Sequence, residues 1–225
     1  MTGMQGEDRR TALVLAAAAH VAFDGWTMTA VRAGARDIGI DPAEAMALLP
    51  EGEGELIAAF SAWADRRMME AVAAMPLADM RFRDRIAGAI RARLEALAPY
   101  REAVRRGLAL LALPHMAPLG ARLVWRTVDA AWHAVGDQST DWSWYSKRGL
   151  LAGVYTATLM CWLTDRSEGH ATTWAFLDRR IDDVMQIPKV RQRIEGLLKA
   201  MPDPRRFFRA GRPSAAGRFS DPSGG

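Results

Sequence analysis

Apolar residues recur at helical spacing along most of the chain, and turn signals separate the segments that carry them. The segment Arg10–Phe23 has an almost continuous apolar face and ends at Asp24-Gly25. Runs of β-branched residues are rare, whereas alanine, leucine, arginine and methionine, which favour helix, are abundant. The pattern therefore predicts an all-α fold.

Capping residues mark the boundaries of the next two helices. Thr27 is placed to cap a helix that runs to Ile38, and Gly39 is expected to end that helix in the left-handed conformation. The segment Asp41–Glu44 then combines an N-cap aspartate, a proline at the first helical position and a glutamate that completes a capping box. A short third helix is therefore expected to end at Pro50.

Longer helices are predicted downstream, at Glu53–Met75, Pro76–Pro99, Tyr100–Leu113, Ala121–Val135 and Thr172–Gln186, with another that starts after Asp141. The helix predicted at Pro76–Pro99 carries five arginines that are interpreted as a solvated face: Arg81, Arg83, Arg85, Arg91 and Arg93. The longest uncharged stretch, Gly149–Thr164, is about 24 Å long as a helix. A helix that spans a bilayer requires about 20 apolar residues. The stretch is therefore predicted to form a buried core helix.

The net charge of +4 is unevenly distributed. Met1–Met75 contains six arginines and eleven acidic residues, whereas the remainder contains 24 lysines and arginines and 15 acidic residues. A basic chain binds nucleic acid or anionic lipid, according to where its charge lies. Here the positive charge lies away from the N-terminal helices.

The N-terminal helices resemble the DNA-binding module of TetR-type repressors over Thr11–Phe60. The resemblance rests on the Gly39-Ile40 turn, the small Ala35 at a helix crossing and Leu49-Pro50. The helix that would read DNA, residues 41–49, has no basic, aromatic or amide side chain, and three glutamates follow it closely. We therefore expect a retained scaffold that does not bind nucleic acid.

Catalytic motifs are absent from the sequence. The four histidines, His20, His115, His133 and His170, form no metal-binding pair at helical spacing, and no phosphate loop or nucleophile motif occurs. Cys161, the single cysteine, lies in an apolar stretch typical of a buried thiol. Asp129 and His133 lie one helical turn apart and can hydrogen-bond, which is interpreted as structural or part of a docking surface. The sequence predicts no enzyme, metal or cofactor.

Four segments carry a second resemblance. Val128–Arg148 contains the run Gly-Asp-Gln-Ser-Thr-Asp at residues 136–141, and Thr173–Met185, His20–Thr27 and Leu113–His115 accompany it. Together they resemble the coenzyme Q biosynthesis protein nine family over about residues 10–187. The match implies a TetR-like fold that has lost DNA binding and holds ubiquinone-type isoprenoid lipid in its C-terminal part.

The family resemblance also implies partners. Members present quinone intermediates to a hydroxylase, in many organisms the di-iron demethoxy-quinone hydroxylase. They touch the membrane through a C-terminal amphipathic helix and are usually dimers. The docking region lies around Trp144 and Tyr145, and the docking residues expected here are Asp129, Trp132, His133, Asp141, Trp144, Tyr145 and Arg148. Ordinary packing at a helix start is the alternative for the aromatic residues.

A prenyl tail requires a dry slot lined by apolar side chains. The residues predicted to line it are Leu108, Leu111, Leu113, Met116, Leu123, Leu150, Leu151, Val154, Leu159 and Met160. Each of them also fits an ordinary solid core, since apolar helical stripes mostly form core.

The C-terminal segment that follows Pro188 has an apolar stripe flanked by bases, typical of a helix that lies on anionic lipid. The predicted membrane-binding residues are Val190, Arg191, Arg193, Ile194, Leu197, Leu198, Lys199 and Met201. Docking of this helix on its own body or on a dimer partner is the alternative.

The sequence thus predicts a helical bundle with a degenerate TetR-like module (1–75), a lipid-binding domain (76–187), an amphipathic helix (188–202) and a disordered basic tail (203–225). The predicted function is that of a ubiquinone biosynthesis accessory protein, a homodimer that binds prenylated quinone or phospholipid. It is expected to be cytoplasmic and peripherally associated with the inner membrane. A ligand-responsive TetR-type transcriptional regulator is the alternative.

Overall fold

The structure is a computed structural model that describes the backbone of residues 2–136 and 142–184, and the side chains of residues 6–136 and 148–184. Within these ranges the chain is helical and contains no β-strand. The helices are α1 (Thr2–Asp24), α2 (Met28–Asp37), α3 (Pro42–Leu48), α4 (Glu53–Ala73), α5 (Phe82–Leu97), α6 (Arg101–Leu111), α7 (Ala117–Ala134), α8 (Trp142–Thr164) and α9 (171–184).

The caps predicted for α2 and α3 are confirmed, with one exception. The Thr27 hydroxyl accepts from the backbone N–H of Ala30 at 3.4 Å, and Gly39 has a φ of +68°. The Asp41 carboxylate accepts from the N–H of Ala43 at 2.8 Å. The predicted capping box is not formed, because Glu44 pairs with Arg9 of α1 at 2.9 Å instead of bonding to the Asp41 N–H. That charge-assisted bond joins α3 to α1.

The crossing of α1 and α2 depends on Gly34. A Cβ atom at this position would lie 2.4 Å from the backbone nitrogen of Ala17 in α1, closer than real Cβ atoms approach any atom. Ala35, which the sequence indicated for a crossing, is buried, and the residue before it has no room for a side chain against α1. The absent side chain of Gly34 therefore sets the spacing of the two helices.

The predicted helix at 76–99 begins later than expected. Leu77–Asp79 forms a short 3₁₀ turn, and Met80 is extended, with φ −94° and ψ 141°. The Met80 N–H bonds to the carbonyl oxygen of Leu77, so the helical bonding pattern starts afresh at Phe82. The helix predicted at 121–135 begins earlier, at Ala117, because Pro118 occupies the first turn, where its missing N–H costs no bond.

Helix α4 lies at the centre of the bundle and packs against α1, α5 and α7, while α7 also packs against α8. Residues Met1–Val184 form one compact unit. The boundary suggested at residues 75–76 stays a prediction, and the segments predicted at 188–202 and 203–225 lie outside the described residues.

Helix α8 contains the long uncharged stretch and is buried along one face rather than all round. The buried face repeats at helical spacing through Leu151, Tyr155, Thr158 and Trp162, whereas Met160 is 56% exposed. In the part of the chain that the structure describes, no helix has the length and apolar character needed to cross a membrane.

The turn between α8 and α9 is held by one carboxylate. Asp165 accepts bonds from the Ser167 hydroxyl at 2.7 Å and the Thr173 hydroxyl at 2.6 Å, and also from the backbone N–H groups of both residues. These bonds, those from Ser167 first, hold the pKa of Asp165 well below its usual range. The carboxylate therefore stays ionised and fixes the direction in which α9 leaves α8.

Candidate functional site

A cavity lies among helices α4 to α8, and Trp26 from the turn before α2 completes its wall. Most of the lining is aliphatic or aromatic, as in Ile57 and Phe60 of α4, Leu97 of α5 and Leu123 of α7. The gap between the side chains measures about 550 Å³ including its open side, and the centre of a water molecule can move through about 80 Å³ of it. That room holds several waters and suits a small apolar group.

The cavity has an open end and a closed end. Leu108 and Leu111 of α6, with Gly120 and Val124 of α7, line it and are only half-buried. Residues deeper in the bundle are buried, and Arg93 of α5 is only 4% exposed. The α6–α7 side therefore forms the entrance.

The position of α6 at the entrance is set by its contact with Trp26. The indole nitrogen of Trp26 donates to the carbonyl oxygen of Ala103 at 2.9 Å. A Cβ on Gly107 would lie 3.0 Å from the same indole nitrogen and 3.0 Å from Ile57 Cδ1. Glycine at this position therefore lets α6 approach the aromatic wall closely.

The closed end is polar. Arg93 donates from Nε to Asp65 at 2.7 Å, from Nη1 to the Tyr155 hydroxyl at 2.6 Å, and from Nη2 to the Ser61 hydroxyl at 3.0 Å. The Thr127 hydroxyl donates to the same oxygen of Asp65 at 2.8 Å. Arg93, Tyr155, Ser61 and Thr127 line the cavity, with Asp65 bonded behind them, and we call these five residues the polar floor.

Burial and neighbouring charges shift the pKa values of Arg93 and Tyr155 in the polar floor. Burial favours a lower pKa for Arg93, but Tyr155 and Asp65 outweigh it and the pKa of Arg93 is raised. Burial also raises the pKa of Tyr155, with Arg93 opposing the shift. The floor is therefore a buried guanidinium–carboxylate pair beside a phenol that keeps its proton.

Four of the ten residues predicted to bind lipid line this cavity: Leu108, Leu111, Leu123 and Leu159. The other six do not. Leu151 and Val154 are buried elsewhere in the core, Met116 and Leu150 are half-buried, and Leu113 and Met160 are exposed. Their role in binding lipid stays a prediction.

The interpretation of Arg93 as part of a solvated face is wrong. It lies on the buried stripe of α5, in which the apolar residues are Ile86, Ile90, Leu94 and Leu97. These follow the helical spacing i, i+4, i+8 and i+11, and Arg93 lies at i+7. That spacing was readable in the sequence, and an arginine on an apolar stripe indicates a buried partner. Tyr155 lies on the buried face of α8 and was not among the site residues predicted from the sequence.

The predicted docking residues lie partly within the described side chains. Arg148, which is buried, donates to the carboxylate of Asp129 at 2.6 Å. Trp132 is buried and stacks on Phe82 with ring centroids 5.3 Å apart, whereas His133 is exposed. Asp129 therefore bonds to α8 rather than to His133, because a buried guanidinium offers it a charged partner.

Some predicted residues lie outside the described parts. Asp141 and the side chains of Trp144 and Tyr145 are among them, as are all eight membrane-binding residues of the C-terminal segment, Val190, Arg191, Arg193, Ile194, Leu197, Leu198, Lys199 and Met201. Over the residues that are described, no group of three histidine, cysteine or acidic side chains is arranged to bind a metal ion.

Comparisons with known proteins identify relatives of the chain. The COQ9 family model matches residues 117–188. The ubiquinone biosynthesis protein COQ9, mitochondrial, of Homo sapiens is 32% identical over 196 residues, which cover 84% of this chain and 61% of that protein. The Drosophila melanogaster protein of the same name is 32% identical over 198 residues, covering 84% and 59%. The chain thus spans about three fifths of the length of these relatives.

A solved structure matches the fold. The TetR transcriptional regulator from Nitrosomonas europaea ATCC 19718 superposes with a TM-score of 0.64 at 24% identity, over 79% of this chain and 98% of the regulator. The predicted all-α, TetR-like fold is thereby confirmed. The sequence relatives confirm the second resemblance: the chain is similar to COQ9 proteins over 84% of its own length.

Proposed function

We propose that this protein is a non-enzymatic accessory factor of ubiquinone biosynthesis. It binds an isoprenoid lipid or quinone intermediate in the cavity of helices α4 to α8 and presents it to a membrane-associated hydroxylase. The observation that carries the proposal is an apolar cavity with a buried polar floor, in a chain whose relatives are named ubiquinone biosynthesis proteins.

The shape of the cavity supports a lipid with a polar head. Ligand sites are mostly apolar with a few convergent polar groups, and the lining of this cavity has that composition. A whole polyprenyl tail exceeds the space at the closed end, so part of it must leave through the entrance. The half-buried Leu108, Leu111 and Val124 are the side chains that must move to let it pass.

A presenting role, rather than catalysis, agrees with the chemistry of the floor. Each charged group there is bonded to another protein group, and the phenol of Tyr155 keeps its proton. General acid–base catalysis needs a group whose pKa is close to the working pH. The floor can therefore orient a ligand without exchanging protons with it.

Presentation also requires a partner surface and a membrane. We assign the partner surface to the α7–α8 region around Asp129 and His133, where the buried Arg148 holds Asp129, together with Trp144 and Tyr145. We assign membrane contact to the segment after Pro188. A homodimer, and a cytoplasmic location beside the inner membrane, belong to the same proposal. The relatives carry the word mitochondrial in their names, so those proteins reside in an organelle whose inner membrane would be the corresponding surface.

A TetR-type regulator is the second candidate, because the fold favours it. Such a regulator would bind duplex DNA with an affinity that falls steeply with salt. Two arginines of α1 argue against DNA contact, since Arg9 pairs with Glu44 of α3 and Arg10 pairs with Glu55 of α4 at 2.6 Å. A phosphate would have to compete with these carboxylates for both arginines.

Filling the cavity is expected to reduce function without unfolding the protein. In cells that lack their own COQ9 homologue and are rescued by this chain, Leu108→Trp should lower ubiquinone content several-fold relative to the unchanged chain. The indole ring is larger than the leucine side chain and would occupy the entrance. Ubiquinone is measured by chromatography of lipid extracts. Leu110→Trp is the matched control, since Leu110 is a half-buried leucine of the same helix that does not line the cavity.

The two variants separate loss of binding space from loss of folding. Circular dichroism should give both the same thermal midpoint within a few degrees, and Leu110→Trp should restore ubiquinone as the unchanged chain does. Equal restoration by Leu108→Trp and Leu110→Trp would show that the cavity is not needed, and the proposal would fail.

A further inference from the structure

Two hydroxyl groups of the polar floor have protons that no protein group accepts. A guanidinium only donates hydrogen bonds. The bonds from Arg93 to Tyr155 and Ser61 therefore place both hydroxyl oxygens in the acceptor role. Thr127 differs, because its hydroxyl donates to Asp65. Over the described residues, the protons of Tyr155 and Ser61 have no hydrogen-bond acceptor.

Both residues line the cavity and bond to Arg93. Tyr155 is 4% exposed, whereas Ser61 is half-buried. Buried donors are almost always satisfied by protein, water or ligand, since an unpaired one costs free energy. An acceptor inside the cavity is therefore expected, and the surrounding walls are apolar.

The ligand atom that accepts these bonds is expected to carry no hydrogen of its own. Asp65 Oδ1 already accepts from Arg93 and from Thr127. A ligand hydroxyl would need an acceptor for its own proton, whereas a carbonyl oxygen offers two lone pairs and requires no acceptor in return. The two O–H groups match those two lone pairs in number.

We propose that Tyr155 and Ser61 bind the carbonyl oxygen of a lipid and so seat its head at the closed end, with its tail directed to the α6–α7 entrance. This assignment rests on the proposed function and adds to it the class of group that is recognised. The carbonyl is supplied by a quinone ring or by an acyl ester, and the two sources differ in the shape that surrounds the oxygen.

The test compares ligands that differ in the carbonyl group. The full chain is titrated with a short-chain ubiquinone, a short-chain phosphatidylcholine and a prenyl hydrocarbon of matched length, and native mass spectrometry measures the bound fraction. Tyr155→Phe is expected to weaken binding of a carbonyl ligand about 5-fold, as loss of one hydrogen bond does, and to leave the hydrocarbon unchanged. Tyr100→Phe removes a phenol that does not line the cavity and is the matched control.

Each outcome decides the assignment. A selective loss for the quinone, or for the phosphatidylcholine, supports carbonyl recognition and identifies its source. Equal affinities in Tyr155→Phe and the unchanged chain, or an equal loss for all three ligands, overturn it. Ser61→Ala replaces Tyr155→Phe if that variant does not fold. Failure of the unchanged chain to bind any of the three overturns the proposed function and the assignment with it, whereas normal binding with insensitive variants overturns only the assignment.

Discussion

Replacing Arg93 with methionine is expected to lower the free energy of unfolding by about 3–5 kcal/mol, the usual cost of removing one partner from a buried ion pair. The side chain of Asp65, 6% exposed, would lose its charged hydrogen-bond donor. Since domains are stable by about 5–15 kcal/mol in total, the variant should unfold at a much lower urea concentration. Urea unfolding followed by circular dichroism measures the change.

Two further variants test whether the effect comes from burial. Arg91→Met on the same helix removes an exposed pair with Glu95 and a ring contact to Trp174, and should cost about 1 kcal/mol or less. The double variant Arg93→Met with Asp65→Leu removes both charges and should recover part of the loss. If Arg93→Met unfolds like the unchanged chain, the Arg93–Asp65 pair is not formed in the buried core.

The substitution Gly34→Ala is expected to destabilise the α1–α2 crossing by about 1–3 kcal/mol or more. Its Cβ would lie 2.4 Å from Ala17 N, 2.7 Å from Ala16 C and 2.9 Å from Ala17 Cα. These are backbone atoms, so relief requires the two helices to move apart. Helix propensity alone would favour alanine by up to about 1 kcal/mol. A loss of stability would therefore indicate the close helix crossing, and a gain would indicate that the crossing has room for a Cβ atom.

The control for this prediction is Gly153→Ala. Gly153 lies on the exposed side of α8, and a Cβ there meets nothing within 4 Å. Propensity should then stabilise the helix by roughly 0.5–1 kcal/mol. Thermal unfolding of the two variants under the same conditions gives the comparison. A Gly34→Ala protein as stable as Gly153→Ala would mean that α1 and α2 do not cross at the spacing described.

The local signals in the sequence predicted the N-terminal helices well. Thr27 and Asp41 cap α2 and α3, and Gly39 ends α2 with positive φ, because these residues act on atoms within three positions along the chain. The close approach at Gly34 was attributed instead to the neighbouring Ala35. Which of two adjacent small residues faces another helix depends on a crossing angle that local spacing does not fix.

The cavity was predictable in kind but not in its outline. Leu108 and Leu159 line it while Leu113 and Met160 lie on the surface, although all four are apolar and belong to helices or their ends. An apolar pattern indicates which faces are buried, but a gap forms only where five helices leave space between them. The polar floor was missed because Arg93 was grouped with the exposed arginines of α5, although its spacing places it on the apolar stripe.

The most direct test of the account is to extract the purified full chain with organic solvent and analyse the extract by mass spectrometry. The account predicts prenylated quinone or phospholipid that copurifies with the protein, and a markedly smaller amount from Leu108→Trp than from Leu110→Trp. A folded protein that yields no lipid, or the same amount from both variants, would contradict the claim that the cavity of α4 to α8 holds a lipid.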